Sequence, residues 1–226
     1  MIKNNKNKKV FFLSIFIIPS LLCLGFYYFA IRKPLSKGKT NIFVKLPHYG
    51  TASINSSGDS IFYCIPEFLF TNQYNKKVNS ESLKDKIFII CVSNYNDDVS
   101  NQMAAQLYRV QDKLSYLKKD FKIINVLKNI ENDTIQNLFE FAKKVHAEEK
   151  IWHVVAGNKQ EIFNVFETNN VISNNAKSLT ESNEILLIDR NKNIRGHYNG
   201  TNLKEVNRLI DEVMVLAAEY GKIKNM

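Results

Sequence analysis

The sequence predicts an α/β domain in which amphipathic helices pack against a mixed β-sheet. From about residue 61 onward, short apolar runs of strand length alternate with segments of helical periodicity. The last two apolar runs are separated only by a short polar segment, which predicts an antiparallel hairpin, and one more helical segment follows them. With 226 residues, of which 45% are hydrophobic and 23% charged, the chain can hold one such domain and an accessory segment.

Six apolar runs predict the strands of this sheet. They cover residues 67–71, 87–93, 121–127, 151–156, 185–189 and 194–198. The segment IDRNKNI between the last two runs supplies a hairpin turn.

Four segments with helical periodicity fill the gaps between the strands. The second follows a candidate cap at Asn132 or Asp133, the third is short and covers residues 159–168, and the last has Asn202 and Glu205 at capping-box spacing. The predicted buried positions of the first, second and last helices are Met103, Leu107, Val110, Leu114 and Leu117; Ile135, Leu138, Phe139, Ala142 and Val145; and Leu203, Val206, Leu209, Ile210, Val213 and Leu216.

This order of elements is typical of a thioredoxin-like α/β sandwich. Strand, helix, strand and helix come first, and two close strands and a final helix complete the domain, so that parallel strands precede an antiparallel pair. The predicted fold class is therefore α/β and thioredoxin-like, of the glutaredoxin/peroxiredoxin type, with one N-terminal transmembrane helix before the sandwich.

The N-terminal segment combines basic charge with a long uncharged run. Residues 1–9 are basic, and residues 10–30 contain no charged residue over a length of about 31 Å as a helix. No small-residue cleavage site follows directly, so we expect an uncleaved, single-pass anchor in the inner (plasma) membrane, with the C-terminal domain on the periplasmic side. A cleaved signal peptide is the alternative. Residues 31–60 are predicted to be a linker and a loose hairpin, and residues 61–221 the folded domain.

The net charge of +9 belongs mainly to this N-terminal segment. Eight of the 31 Lys and Arg residues lie in residues 1–39, which contain no Asp or Glu. The rest of the chain therefore contains 23 basic and 22 acidic residues. A nucleic-acid-binding domain needs a basic face, and this nearly neutral domain does not predict one.

The three cysteines lack the spacing of a redox or zinc motif. Cys23 lies in the N-terminal apolar run, and Cys64 and Cys91 lie in separate apolar stretches, with no C-x-x-C anywhere. We interpret Cys64 and Cys91 as small buried hydrophobic residues, with a disulfide between them as the alternative.

Several stretches together resemble the SCO1/SenC family of membrane-anchored, thioredoxin-like proteins. They occur in order between about residue 46 and residue 212, with few gaps. The most specific are the IPEFLFTNQ entry, the W-x-V-x-x-G strand at Trp152 and the hairpin LLIDRNKNIRGHYNGT, and LPHYG, QLYRVQDKL and NDTIQNLFEFAKKVHAEEK add to the match.

The resemblance implies an exported domain that handles copper for cytochrome c oxidase assembly. The family's copper site uses two thiolates from a C-P-x-x-C-P turn at the start of the first helix and one imidazole from the loop before the late hairpin, and these ligands suit copper. The matching positions of this chain are Asn96, Ser100 and Glu181, none of which is a usual copper ligand. We therefore expect no metal and no cofactor at the usual site.

Two other sites remain open from the sequence. Asp97 and Asp98 could form a metal or acid/base site with Glu181, although both are also explained by a helix N-terminus. Alternatively, Cys64 or Cys91 could join a histidine in a rebuilt copper or redox site. The candidate histidines are His48, His146, His153 and His197.

We expect a membrane-anchored SCO1/SenC-like protein that is related to copper delivery but is not an enzyme. It would act as a non-catalytic assembly or binding partner. The expected partners are membrane lipid around residues 10–30 and either oxidase subunits or a copper-competent paralogue. The alternative function is an active copper metallochaperone or thiol-disulfide reductase that uses Cys64, Cys91 and a histidine. No G-x-S-x-G turn and no phosphate-binding loop is present.

Overall fold

The structure is a computed structural model that describes residues 17–25, 45–50, 52–54, 58, 60–95, 97–128, 135–156 and 183–221. The chain divides into two compact units, Met1–Phe43 and Val44–Met226. The second unit contains the α/β domain, and the first is described only at residues 17–25, which are helical.

The prediction of a membrane anchor over residues 10–30 needs correction. Nowhere in the described ranges is there a helix whose length and apolar character would let it cross a membrane. This finding overturns the predicted single-pass anchor and the inner-membrane location that was based on it. The rest of residues 10–30 lies outside the described residues.

The described strands of the second unit form a hairpin and a large sheet. β1 and β2 pair antiparallel in the hairpin that the sequence predicts before the domain. The strands are β1 (Ala52–Ile54), β2 (Ser60–Phe62), β3 (Leu69–Asn72), β4 (Lys77–Asn79), β5 (Ile87–Asn94), β6 (Phe121–Lys128), β7 (Trp152–Ala156), β8 (Glu184–Ile188) and β9 (Ile194–Asn199).

The large sheet has seven described strands in the order β4-β3-β7-β6-β5-β8-β9. β5, β6 and β7 are parallel to one another, whereas β8 and β9 continue the sheet antiparallel on one side and β3 and β4 on the other. All six predicted strands are confirmed, with bounds shifted by at most two residues. β4 was not predicted, because a three-residue strand carries too little periodicity.

β5 lies between β6 and β8 in the sheet and is buried on both faces. Its odd-numbered residues, such as Ile89 and Cys91, belong to the core on the helix side, whereas Phe88 and Ile90 belong to the core on the opposite face. Because successive side chains of a strand point to opposite faces, an unbroken apolar run is what a strand with two covered faces requires.

Three described helices contribute to the same core. They are α1 (Asp98–Lys113), α2 (Ile135–Lys144) and α3 (Leu203–Glu219). α3 begins as predicted, since the Asn202 side chain accepts hydrogen bonds from the backbone N–H groups of Lys204 and Glu205. Its first residue, Leu203, is exposed, which corrects its predicted burial. The predicted cap at Asn132 or Asp133 and the predicted helix at residues 159–168 lie outside the described residues.

The buried face of α2 differs from the prediction. Phe141 is buried beside Leu138 and Ala142, whereas Phe139 is 43% exposed and Ile135 is also exposed. Phe139 instead packs edge-to-face with Tyr74 of the turn after β3, at a centroid distance of 6.2 Å. Both phenylalanines fit the amphipathic pattern of a helix. The packing of α2 against β7 determines which of them is buried.

A buried charge cluster fastens both ends of the domain to the β8–β9 hairpin. The Arg195 guanidinium, 4% exposed, donates to the Asp189 carboxylate at 3.0 Å and lies 3.5 Å from the Glu219 carboxylate of α3. It also donates to the backbone carbonyls of Leu46 and Pro47, at 2.7 and 3.1 Å. The same Glu219 accepts from the Leu46 N–H at 3.2 Å. One side chain therefore joins the first described residues of the domain, the hairpin and the last helix.

Arg195→Met should lower the free energy of unfolding by about 3–5 kcal/mol, because it leaves two carboxylates without their cation in or near the interior. Urea unfolding followed by circular dichroism measures this change. Lys192→Gln is the matched control, because Lys192 pairs with the exposed Glu67. The change in the free energy of unfolding of this variant should fall within experimental error. Equal effects of both variants would contradict a structural role for the Arg195 cluster.

Candidate functional site

The candidate site lies at the edge of the sheet where β5 ends and α1 begins. Asp97 is the N-cap of α1, with φ −101° and ψ 139°, and its Oδ1 accepts a hydrogen bond from the Val99 N–H at 3.4 Å. Asp98 lies in the first turn and is exposed. Both residues therefore have the helix-start role that is the simpler interpretation of the sequence.

Ser100 is the one position matched to a copper ligand that the structure describes. Its side chain is buried, with the residue 4% exposed, and its Oγ accepts from the Asn94 N–H at 2.8 Å. The same hydroxyl donates to Asp97 Oδ2 at 3.2 Å. The Ser100 hydroxyl thus closes the turn between β5 and α1. Asn96 and Glu181 lie outside the described residues.

The chain that enters β8 lies beside the first turns of α1. The Gly200 N–H donates to the Asn183 carbonyl at 2.7 Å, and a Cβ at Gly200 would come within 2.7 Å of Met103 Sδ. Cys91 of β5 is also opposite Ile185 of β8 in the antiparallel register. The described start of β8 and the first turns of α1 therefore lie at the same edge of the sheet.

The charge on Asp97 is stabilised by its hydrogen bonds. Desolvation acts to raise the pKa of Asp97, but hydrogen bonds from Asn94, Val99 and Ser100 together outweigh it and hold the pKa below its ordinary value. The carboxylate form is therefore the one that caps α1 at neutral pH.

A buried polar group that the sequence analysis did not identify lies within the same core. Ser93 Oγ donates to Asn125 Oδ1 at 2.8 Å, and Cys91 Sγ is 3.7 Å from the same oxygen. Asn125 Nδ2 is buried and has no hydrogen-bond partner among the described residues. The signal was present in the sequence as one amide within the apolar strand FKIINVLK.

The two cysteines of the domain differ from each other. Cys91 is fully buried, as predicted, and burial raises the pKa of its thiol. Cys64 is exposed, which corrects its assignment to the core. Its Sγ lies 3.3 Å from the Asn191 carbonyl, and partial burial together with the Asp189 carboxylate raises the pKa of the thiol, against the opposite effect of Lys192. Both are free thiols.

The strand histidines do not approach Cys91. His153 of β7 and His197 of β9 each neighbour residues whose side chains enter the helix-side core, Val154 and Tyr198, so the pleat directs the two imidazoles to the opposite face. Cys91 points to the helix side. A rebuilt site that combines Cys91 with either histidine is therefore excluded by the alternation of side chains along the sheet.

His48, His153 and His197 each lie in surroundings that contain no cysteine among the contacts of the described residues. His197 Nδ1 is 2.8 Å from Glu184 Oε1, and His48 stacks on Phe62 with ring centroids 4.0 Å apart. Burial lowers the pKa of His153 to about 4, and the Lys122 ammonium adds to this effect. Among the residues that the structure describes, no group of three or more His, Cys, Asp or Glu side chains is arranged to hold a metal ion.

Comparison with known proteins identifies one family. The SCO1/SenC family model matches residues 60–216. The domain is similar to a SCO1/SenC family lipoprotein from Bacillus anthracis str. Ames, with a TM-score of 0.58 and 21% identity over 69% of this chain and 95% of that one. No curated protein matches the chain by sequence.

Two further solved structures show the same fold. BsSco, described as a member of the Sco family of cytochrome c oxidase assembly proteins and as having a disulfide switch, has a TM-score of 0.56 and 22% identity over 69% of this chain and 94% of that one. ScoI from Arabidopsis thaliana, solved with copper bound, has a TM-score of 0.53 and 18% identity over 70% of this chain and 100% of that one. These similarities confirm the predicted thioredoxin-like fold.

Replacement of Asp97 by Asn should remove part of the pH dependence of stability. Asn still caps a helix but carries no charge, so the wild-type chain should be more stable than Asp97→Asn at pH 7. Because the pKa of Asp97 is lowered by folding, this advantage should be complete above about pH 4 and disappear as the pH falls through the folded-state value. Urea unfolding between pH 7 and pH 2 measures it. Asp98→Asn is the control, and an equal decline for both variants would contradict the assignment.

The thiols of the folded domain should react slowly. In a Cys23→Ser background, Cys64 should react with a chromogenic disulfide reagent at pH 8 more slowly than free cysteine, because its raised pKa leaves less thiolate. Cys91 should react only after unfolding in urea, since it is fully buried. Rapid modification of Cys91 in the folded chain would contradict its burial.

Proposed function

This chain belongs to the SCO1/SenC family, and we propose that it is a member that keeps the family scaffold without the usual copper site. It would act as a non-catalytic assembly or binding partner and not as an enzyme. The state of Ser100 is the observation that carries this proposal.

The Ser100 side chain does not fit a copper ligand. Copper sites of this kind need thiolates, whose soft sulfur binds Cu(I), and a neutral hydroxyl is a poor replacement. The Ser100 hydroxyl is also fully engaged, because it accepts from Asn94 and donates to Asp97 while almost completely buried. The amide of Asn96 and the carboxylate of Glu181 would supply hard oxygen atoms instead of sulfur and imidazole nitrogen.

The proposed partner is inferred from the descriptions of the related proteins. BsSco is described as a member of a family of cytochrome c oxidase assembly proteins, and ScoI from Arabidopsis thaliana is described with copper bound. A chain that shares their fold and lacks their ligand types could still contact the same assembly. We therefore propose oxidase subunits, or a copper-competent paralogue, as the partners.

The alternative function, a metallochaperone or reductase with a rebuilt site, has less support. It would need Cys64 or Cys91 to be a reactive thiolate close to a histidine. Burial and a raised pKa argue against Cys91, and a raised pKa argues against Cys64.

Copper binding tests the proposal directly. The full-length chain and the triple variant Asn96→Cys, Ser100→Cys, Glu181→His are placed in competition with a chromogenic Cu(I) chelator. The wild-type chain should take no stoichiometric copper from the chelator. The triple variant should take it, because it restores two thiolates and one imidazole to the matched positions of the retained scaffold.

The single variant Ser100→Cys is the matched control and should not compete with the chelator, since one thiolate does not complete the site. Tight stoichiometric binding by the wild-type chain that survives Cys64→Ser and Cys91→Ser would overturn the proposal. Binding by the wild-type chain that is lost with those two replacements would instead support the rebuilt site. A triple variant that takes no copper would contradict the retained scaffold.

A further inference from the structure

A cleft of about 410 Å³ opens between α1 and the turn that follows α2. Its volume falls within the range that small-molecule sites occupy. The described residues that line it are Asn101, Ala104, Ala105, Tyr108, Lys144, Val145 and His146. No part of the function proposed above uses this cleft.

Two contacts across the cleft join its walls. Lys144 Nζ donates to Asn101 Oδ1 at 3.0 Å, and the Tyr108 ring meets the His146 ring edge-to-face at a centroid distance of 6.1 Å. Asn101 and Tyr108 are two helical turns apart on α1, so the two contacts are separated by about 10 Å. Ala104 and Ala105 lie between them, and their short side chains leave the space open.

The wall that follows α2 is held in place by a buried amide. Gln111 Nε2 donates to the His146 carbonyl at 3.0 Å, while Gln111 Oε1 accepts from the Glu148 N–H at 2.8 Å. His146 has φ 55°, a left-handed conformation that a non-glycine residue rarely adopts. Because Gln111 fixes this turn from both sides, the cleft is formed before any ligand arrives, which reduces the entropy lost on binding.

The charges of the cleft favour a single negative charge. Lys144 supplies an ammonium group, none of the described lining residues is a carboxylate, and no ion pair among the described residues includes Lys144. Asp98 and Asp112 lie on the same stripe of α1, one turn beyond each end of the cleft. A ligand with several negative charges would therefore meet repulsion at both ends.

We propose that this cleft binds a monocarboxylate with a short apolar or aromatic body. The carboxylate pairs with Lys144 and Asn101, the body covers Ala104 and Ala105, and the far end packs on Tyr108. The shape, the apolar floor and the ammonium group of Lys144, which has no ion-pair partner among the described residues, together define this class of ligand. Ligand binding in this cleft is independent of whether the chain binds copper, because none of the described lining residues is a position matched to a copper ligand.

The carboxylate could belong to a free small acid or to the C-terminus of a peptide. The two probes are therefore phenylacetate and N-acetyl-Gly-Phe, which carry the same ring and a carboxylate. Phenethylamine has a similar ring and the opposite charge, and inorganic phosphate carries more than one negative charge at neutral pH. Titrations of the ¹⁵N-labelled full-length chain, followed by ¹H–¹⁵N correlation spectra, report binding at the amides of Ala104, Ala105 and Val145.

Phenylacetate, N-acetyl-Gly-Phe or both should cause saturable shifts at these amides, and phenethylamine and phosphate should not. Saturation by only one of the two carboxylates supports the proposal and identifies its source. Lys144→Gln should weaken binding about tenfold, because a charge-assisted hydrogen bond is lost. Ala105→Leu should abolish binding by filling the cleft, and leucine is also a good helix former.

Matched controls separate the cleft from general surface effects. Lys143→Gln removes the neighbouring charge of α2, and Gln102→Leu adds the same side chain at an exposed position of α1 outside the cleft. Both should bind as the wild-type chain does. No saturable shift with either carboxylate, equal shifts with phenethylamine, or undiminished binding by Ala105→Leu would overturn the proposal.

Discussion

The guanidinium group of Arg195 holds together three parts of the chain that are far apart in sequence. A cation in the interior is tolerated only when its donors are satisfied, and this one finds the carboxylates of Asp189 and Glu219 and two backbone carbonyls near residue 46. Asp189 in turn accepts the backbone N–H groups of Asn191 and Asn193, which closes the hairpin turn. The cluster therefore defines where the β8–β9 hairpin lies against α3.

The position of the hairpin determines the geometry of the candidate site. β8 pairs with β5, and β9 leads into Gly200, which packs against Met103 of α1 without room for a side chain. The edge where α1 begins is thus bounded by the hairpin on one side and by the Asp97 and Ser100 hydrogen bonds on the other. The ion pairs of Arg195 hold one end of the hairpin, and the close packing of Gly200 on Met103 holds the other.

The sequence was sufficient where the outcome depends on local periodicity. The buried strands were predicted to within two residues, because an unbroken apolar run of this length is typical of a strand that is covered on both faces. The sequence was insufficient where contacts between elements that are distant in sequence determine which residues are buried. The burial of Phe141 instead of Phe139 follows from the position of α2 over β7. The cleft requires two helices that meet only after folding, and the hydrogen bonds of the candidate site likewise appear only when β5 and α1 are joined.

The hydrogen-bonded hydroxyl of Ser100 does not respond to redox conditions. A pair of thiols at the start of a helix can exist as free thiols, as a disulfide or as metal ligands, and each state gives the surrounding surface a different shape and charge. A serine hydroxyl has no such set of states. The entrance to α1 therefore presents the same surface in oxidising and in reducing surroundings, and a partner that recognises this edge would bind it with an affinity that does not report on redox conditions.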